Sequence, residues 1–248
     1  MAIYIILEQR IRSFEYEETL GLRKQFLSNG FVRVKGLVPA GTLEEIDEEC
    51  SRIMQILGSD KDLLMEETQN TPRHMRTVGQ HRLAQESSLI PSIYESDIFR
   101  GFLIAIAGQE LFKAPWLPEQ YILSHLYREG DTHGWHWDDY TFASVIYIKS
   151  PSIDQGGFVQ TCANGHWDKK NPKVYQTLLN SPINTYRCEA GDAYLLRAKD
   201  YLHRVTPVQN GGERLIVNMT WASEFDLATD MTHATNDILF TDKHVTAQ

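Results

Sequence analysis

From Gln120 onward the chain alternates short apolar runs with turn residues, and this pattern restricts the fold more than any other feature. Seven runs have the length and the β-branched or aromatic content of strands, with Gly, Pro, Asp or Asn between them. Many short strands of this kind predict a β-sandwich or a barrel. The predicted strands are 121–127, 143–148, 157–161, 185–188, 193–196, 204–208 and 215–221. A polar insertion at 164–180 is expected to contain a short helix.

The first 119 residues predict mainly helices outside this β core. Amphipathic spacing indicates helices at 15–28 and 96–108, with a short strand at 31–34 after the first of them. Thr42 and Glu45 form a predicted capping box at the start of another helix.

Two segments of this region have other expected roles. The apolar run at 2–7 is too short to span a bilayer and lacks the features of a signal peptide, so we expect a strand. Residues 60–90 are polar and irregular, which predicts a long loop that serves as a lid over an active site.

Composition and charge limit the class of protein. A hydrophobic fraction of 42% and a charged fraction of 23% are ordinary for a soluble chain of 248 residues. We expect one domain over 1–248, with a mostly helical flank at 1–119, a β core at 120–223 and a C-terminal segment at 224–248. The net charge of −9 argues against nucleic acid and anionic membranes as partners, because both attract basic surfaces.

The cysteines indicate the compartment. Cys50, Cys162 and Cys188 are odd in number and widely spaced, and no C-x-x-C pair exists. Neither a disulfide framework nor a zinc knuckle is therefore predicted, and the reducing cytoplasm is the expected location.

The stretch 131–140 carries the chemistry, because His136 and Asp138 form an H-x-D pair there. Residues two apart on extended backbone project from the same face, so both side chains can reach one ion. Two imidazoles and one carboxylate on one face of an octahedron form the facial triad of non-haem iron oxygenases, with three positions open. His203, which follows the predicted strand at 193–196, is the expected third ligand.

Arg214 lies eleven residues after His203 and opens the last apolar run. Period two places it on the same face as Ile216, Asn218 and Thr220. An arginine on the inward face of a core strand is costly unless it meets an anion, and the guanidinium group binds carboxylates through two hydrogen bonds. We therefore expect Arg214 to hold the distal carboxylate of 2-oxoglutarate.

Other chemistries fit these residues less well. A lone H-x-D pair often occurs by chance, so the ordered set with a histidine and an arginine carries the prediction. His133 and His136 have the spacing of a helical zinc site, but Gly134 argues against a helix and no H-E-x-x-H motif is present. No G-x-S-x-G motif supports a serine hydrolase. A non-catalytic metal-binding β-barrel is the remaining alternative, and Arg214 counts against it.

The set His136, Asp138, His203 and Arg214 resembles the Fe(II)/2-oxoglutarate-dependent oxygenase superfamily. The resemblance implies a mainly β (α+β) protein with a double-stranded β-helix (jelly roll, cupin-like) core and N-terminal flanking helices. It also implies Fe(II), 2-oxoglutarate and O₂ as cofactors. Residues 126–138, 194–197 and 218–223 resemble the BesD-type radical halogenases of free amino acids and their hydroxylase relatives. Those halogenases carry glycine where this chain has Asp138, which leaves a site for chloride, so the carboxylate implies hydroxylation.

The same resemblance implies how a small-molecule amino-acid substrate is held. Arg73 and His133 are expected at its α-carboxylate. The residues expected to receive its amines are Glu119, Asp139, Asn218 and Thr220. Ile238 stands where we expect relatives to have an aromatic residue near the substrate. The favoured reaction is hydroxylation of free L-lysine at C4, and the alternatives are ornithine, a peptide or a natural-product scaffold.

Overall fold

The structure is a computed structural model that describes residues 3–163, 167–233 and 237–239. Helices in these ranges are α1 (Ile3–Arg12), α2 (Tyr16–Asn29), α3 (Ala40–Leu57), α4 (Gln80–Glu86), α5 (Leu89–Glu95), α6 (Asp97–Ala107), α7 (Val174–Asn180) and α8 (Glu224–Leu227). The strands are β1 (Phe31–Val34), β2 (Ser59–Met65), β3 (Thr71–Val78), β4 (Phe112–Lys113), β5 (Tyr121–Leu126), β6 (Thr132–His136), β7 (Phe142–Lys149), β8 (Val159–Ala163), β9 (Ile183–Tyr186), β10 (Ala193–Leu196), β11 (Tyr201–Val205) and β12 (Arg214–Ala222). None of the described helices combines the length and the apolar character needed to cross a bilayer.

The strands form one curled antiparallel sheet. Ten of them follow one another in the order β1-β10-β7-β12-β5-β3-β6-β11-β8-β9, while β2 pairs with β3 and β4 pairs with β12. β3 joins the two halves, because residues 76–78 pair with β5 and residues 73–74 pair with β6. With helices outside the sheet, this is the predicted jelly-roll architecture, and the fold class is confirmed.

β12 shows how the sequence separates the two faces of the sheet. Leu215, Val217 and Met219 are buried in a hydrophobic cluster that includes side chains of α2, α3, α5 and α6. Arg214, Ile216 and Asn218 alternate with them and line a cavity on the opposite face. The predicted period of two is therefore confirmed for these residues, and it puts the polar side chains into the cavity.

The seven predicted strands are all present, with bounds that differ by no more than three residues. The largest difference is at β11, which begins at Tyr201 rather than Arg204, so His203 lies inside the strand. The predicted helices at 15–28 and 96–108 and the short helix in the polar insertion are also confirmed. α2 ends at Asn29, and Gly30 follows with a φ of 64°, which favours glycine.

The amino-terminal predictions are wrong in two places. The expected strand at 2–7 lies largely in α1, where Leu7 and Ile11 are one turn apart and both buried. A short apolar run cannot distinguish a strand from a buried helix by itself. The capping box is also wrong, because α3 begins at Ala40 and Thr42 is buried within the helix.

The predicted lid loop at 60–90 is wrong as well. β2 and β3 form a hairpin there, α4 follows, and β3 lies in the middle of the sheet, within the region predicted as a helical flank. Every second residue from Thr71 to Thr77 is buried, which is the pattern of a strand. The buried set includes Thr71, Arg73 and Thr77, so the sequence lacks the apolar alternation on which strand prediction depends.

Hydrogen bonds of Asp226 connect α8 to the loop that precedes β7. Its carboxylate accepts hydrogen bonds from the backbone N–H groups of Thr141 and Ser223, both at 2.8 Å, and from Lys199 Nζ at 2.6 Å. Burial alone would raise the pKa of Asp226, but these hydrogen bonds outweigh it and lower the pKa. A lowered pKa contributes stability above the unfolded-state value, which is lost as pH falls through the folded-state pKa.

We expect Asp226→Asn to lower the free energy of unfolding by about 1–3 kcal/mol at pH 7, because the charged acceptor is lost. The difference from the wild type should shrink as pH falls below about 4. Urea denaturation at pH 7 and at acidic pH measures both effects. Asp230→Asn, at an exposed position, is the matched control. An equal loss in both variants at every pH would contradict the role of Asp226.

Candidate metal centre

Strand register brings the two predicted metal histidines together. β6 and β11 are antiparallel neighbours in which His136 pairs directly with His203, and the centroids of their rings are 4.0 Å apart. Asp138 lies two residues beyond the end of β6, and its backbone N–H donates to the carbonyl of Ala198 at 3.1 Å. Asp138 Oδ1 lies 3.5 Å from Nε2 of each histidine. The carboxylate thus meets both imidazoles, although it follows the strand and is not part of it.

The hydrogen bonds of the two rings determine which nitrogen is available to a metal. His136 Nδ1 lies 2.7 Å from the carbonyl oxygen of Gly134, and His203 Nδ1 lies 2.9 Å from that of Tyr201. A carbonyl oxygen can only accept, so each Nδ1 carries the hydrogen and each Nε2 keeps its lone pair. Metal-binding histidines typically have this arrangement. One ligand atom from each of the three side chains lies within 4.8 Å of the others.

Burial puts the two histidines in the protonation state that suits a cation, whereas it disfavours the charged form of Asp138. It lowers the pKa of His136 well below its ordinary value and also lowers the pKa of His203. Neutral imidazole is the form that binds metal. Burial raises the pKa of Asp138, because its charge is poorly solvated. A divalent cation would offset that cost, and two imidazoles with one carboxylate are the donors typical of non-haem Fe(II).

Gly134 allows β3 to approach the metal-binding strand. A Cβ atom at this position would lie 2.7 Å from the backbone oxygen of Pro72 and 2.8 Å from its ring. Any side chain would therefore push β3 away from β6. Since the carbonyl of Gly134 also orients His136, this glycine serves both the strand packing and the site.

Two buried arginines line the same cavity. Arg214 is 3% exposed, donates from Nε to the hydroxyl of Tyr147 at 3.1 Å and lies over the ring of that residue. Arg73 is 1% exposed and donates to oxygens of Thr68, Thr71 and Pro72, while its Nε has no hydrogen-bond partner. Burial lowers the pKa of Arg73 to about 9.

Neither arginine forms an ion pair with a carboxylate in the part of the chain that the structure describes. A buried guanidinium group without an anion is unfavourable. Either arginine could therefore receive a carboxylate of a ligand.

The residues predicted to meet the substrate carboxylate lie together. Arg73 on β3 is the cross-strand partner of His133 on β6, and both line the cavity. His133 stacks on His136 with ring centroids 3.8 Å apart, and its buried Nε2 has no hydrogen-bond partner. Burial lowers the pKa of His133 well below its usual value, so this ring is neutral.

The residues predicted to receive amines are only partly brought together. Glu119 and Asp139 both lie 3.8 Å from His233 Nδ1, but only Glu119 lines the cavity, and Asp139 is buried next to it. Asn218 lines the cavity too, and its buried Oδ1 has no hydrogen-bond partner. Thr220 is buried near the end of β12 and is not among the residues that line the cavity.

Several side chains at the site have no counterpart in the sequence prediction. They are His233 beside Glu119 and Asp139, Lys169 bound to Asp139, and Trp167 and Leu239 in the cavity wall. Ile238 is 45% exposed and lines another pocket, so the C-terminal segment presents Leu239 rather than Ile238 to the cavity. Trp167, Lys169 and His233 lie outside the strands and helices, and no sequence pattern marked any of the four residues.

Comparison with known proteins decides the family. The model of the family described as Halogenase D matches residues 14–241, about nine-tenths of the chain. The chain belongs to the halogenase D family. No curated protein matches the sequence significantly.

Solved structures show the same fold. The epimerase SnoN, in complex with Fe³⁺, alpha-ketoglutarate and nogalamycin RO, has a TM-score of 0.64 at 16% identity, with 94% of this chain and 93% of that chain covered. A prolyl hydroxylase from Trichoplax adhaerens, in complex with a hypoxia inducible factor peptide fragment, has a TM-score of 0.62 at 13% identity, with 91% and 96% covered. HygX from Streptomyces hygroscopicus, with nickel and 2-oxoglutarate bound, has a TM-score of 0.57 at 13% identity, with 86% and 88% covered. Family and fold together confirm the predicted membership of the Fe(II)/2-oxoglutarate oxygenase superfamily.

We expect Asp138→Ala and His203→Ala each to weaken Fe(II) binding by at least roughly tenfold, because each removes a ligand. Anaerobic equilibrium dialysis followed by metal analysis measures the affinity and the stoichiometry. Asp139→Asn is the matched control and should keep the metal, since Asp139 belongs to the cluster with Glu119 and His233. Loss of iron in Asp139→Asn with retention in Asp138→Ala would move the carboxylate ligand to Asp139.

Proposed function

We propose that this member of the halogenase D family is an Fe(II)- and 2-oxoglutarate-dependent hydroxylase of a free amino acid. L-lysine is the first proposed substrate, with attack at C4 following the resemblance to lysine-modifying relatives. One observation carries the proposal: a His-Asp-His triad shares a single cavity with two buried arginines, Arg73 and Arg214. A metal-binding barrel without catalysis has no need of two such buried cations.

The residues of the triad suit a metal with open coordination positions. His136, Asp138 and His203 would hold Fe(II), and Arg214 would bind the distal carboxylate of 2-oxoglutarate. When bound, this metal couples the oxidative decarboxylation of 2-oxoglutarate to insertion of oxygen into a C–H bond. Tyr147 keeps the guanidinium group of Arg214 in place through its hydrogen bond and its ring. The arginine is therefore oriented before the co-substrate arrives, which lowers the entropic cost of binding.

The charged groups in and next to the cavity suit a substrate with a carboxylate and an ammonium group. Arg73 and His133 would receive the carboxylate, and Glu119 with Asp139 would receive the ammonium group. Arg73, Glu119 and Asp139 are each at most 5% exposed, which favours a small molecule over a peptide. Holding both ends determines which C–H bond faces the metal, and positioning of this kind is the main contribution of the protein.

Asp138 favours hydroxylation over the halogenation that gives the family its name. Its Oδ1 atom lies 3.5 Å from each ligand nitrogen, so it would fill the position that BesD-type halogenases leave to chloride. Trp137 in the cavity wall would limit the access of water while the substrate is bound.

The direct test is mass spectrometry of free amino acids incubated with enzyme, Fe(II), 2-oxoglutarate, O₂ and chloride. We expect L-lysine to gain one oxygen with an equal amount of succinate, and His203→Ala to give neither. Ornithine is the second amino acid of the panel. A chlorinated product would contradict the role of Asp138. Succinate without any modified amino acid would support Fe(II)- and 2-oxoglutarate-dependent chemistry but contradict a free amino acid as the substrate. A peptide or a natural-product scaffold would then be the remaining alternatives.

We expect Arg214→Leu to raise the KM for 2-oxoglutarate by roughly 30-fold or more, because a buried charge partner is lost. The kcat at saturating 2-oxoglutarate should change far less, since the contact serves binding in the ground state and the transition state alike. Arg204→Leu is the control, because Arg204 binds Gln160 and packs on Trp135, outside the set of residues that line the cavity. An unchanged KM in Arg214→Leu would remove Arg214 from the co-substrate site.

A further inference from the structure

The ammonium group of Lys169 is bound where the proposed function places an amine of the substrate. Its Nζ atom lies 2.6 Å from Asp139 Oδ1 and 4.6 Å from the centre of the Trp167 ring, and it also contacts the backbone oxygen of Thr232. A carboxylate, a carbonyl and an aromatic face are the groups that recognise an ammonium ion. The chain itself thus supplies an ammonium group to this receptor.

The two residues of this ion pair differ in exposure and in how firmly the fold holds them. The side chain of Asp139 is 3% exposed, whereas that of Lys169 is 25% exposed and reaches the carboxylate from the surface. Lys169 lies in a turn that precedes α7, held locally by hydrogen bonds from the N–H groups of Lys170 and Asn171 to Asp168. No strand pairing or helix holds Lys169 itself, so it can leave Asp139 without disrupting regular secondary structure.

The same turn covers the cavity. Trp167 lines the cavity, and its indole N–H donates to the backbone oxygen of Glu67 at 3.0 Å. Its ring stacks against Trp137 with centroids 6.5 Å apart. We call residues 167–169 the strap, because they contact the turn between β2 and β3, the loop after β6 and the segment at Thr232. The ion pair between Lys169 and Asp139 therefore fastens the strap over the site.

We propose that Lys169 occupies the site of a substrate ammonium group next to Asp139. A substrate amine would then displace Lys169 from Asp139 and release the strap. This inference rests on the proposed function and describes how the enzyme would select its substrate. The exchange replaces one ammonium group by another, so the buried carboxylate has a counter-ion throughout and the net charge of the site is unchanged. A neutral or anionic molecule cannot make this exchange, because it would leave the carboxylate buried without a cation. Lys169 thus acts as a specificity-determining residue for cationic substrates.

The displacement can be measured without turnover. The full-length enzyme, with Fe(II) and 2-oxoglutarate under anaerobic conditions, is acetylated with an amine-reactive ester, and the ratio of modification at Lys169 to that at Lys170 is read by mass spectrometry. Lys170 is exposed in the same turn and corrects for consumption of the reagent by added amines. We expect the ratio to rise when L-lysine or n-butylammonium, a probe with the ammonium group alone, is added.

Two matched variants give a second readout. Lys169→Met should lower the Kd of L-lysine by about two- to fivefold, because the competing ion pair is worth roughly that factor. Lys170→Met removes the same charge from the same turn and should leave the Kd unchanged.

The outcomes separate this inference from the proposed function. If L-lysine binds and is hydroxylated while the labelling ratio stays constant, or while Lys169→Met has an unchanged or higher Kd, the displacement is overturned and the function stands. If n-butylammonium raises the labelling of Lys169 while no amino acid is hydroxylated, the displacement stands and the substrate class is wrong.

Discussion

The pairing of β6 with β11 is the contact on which the rest of the site depends. It places His136 opposite His203, and the register shifts immediately afterwards, between His203 and Val205. Because side chains alternate along a strand, a slip of one residue would turn one imidazole away from the other. Gly134 lets β3 approach β6, which brings Arg73 beside His133. The two histidines of the triad and Arg73 are thus positioned by backbone pairing, whereas Asp138 follows directly after β6.

The two faces of the sheet have different roles: one stabilises the fold, and the other forms the cavity. The face covered by helices carries apolar residues such as Leu215, Val217 and Met219, and their burial supplies the main driving force for folding. The cavity face carries arginines, histidines and carboxylates whose burial is unfavourable until ligands arrive. A single strand, β12, contributes to both faces, so the strand that stabilises the fold also holds Arg214 rigidly.

How far sequence could predict this structure depended on what each strand buries. β7, β10 and β12 bury aliphatic and aromatic side chains and were predictable, and the H-x-D pair with a distant histidine indicated the triad. β3 was not predictable, because its inward side chains include Thr71, Arg73 and Thr77, which resemble a loop in composition. Lys169 and His233 reach the carboxylate pair from segments without periodicity, and only tertiary structure brings them there. Such polar residues at functional sites are where local patterns and the fold are expected to disagree.

Charge balance gives a second argument, independent of coordination geometry, for the proposed hydroxylation over halogenation. With Fe(II) and the 2-oxoglutarate dianion in the cavity, the carboxylate of Asp138 and the guanidinium group of Arg214 would bring the net charge of these four groups to zero. With Arg73 paired to the substrate carboxylate, an added chloride would leave one uncompensated negative charge in a buried site, which is costly. Replacement of the carboxylate by glycine restores the balance when chloride binds. The neighbouring Asp139 strengthens this constraint, because it already contributes to the raised pKa of Asp138. The ion pair of Asp139 with Lys169 supplies a positive charge beside that second carboxylate, and a cationic substrate that takes the place of Lys169 would do the same.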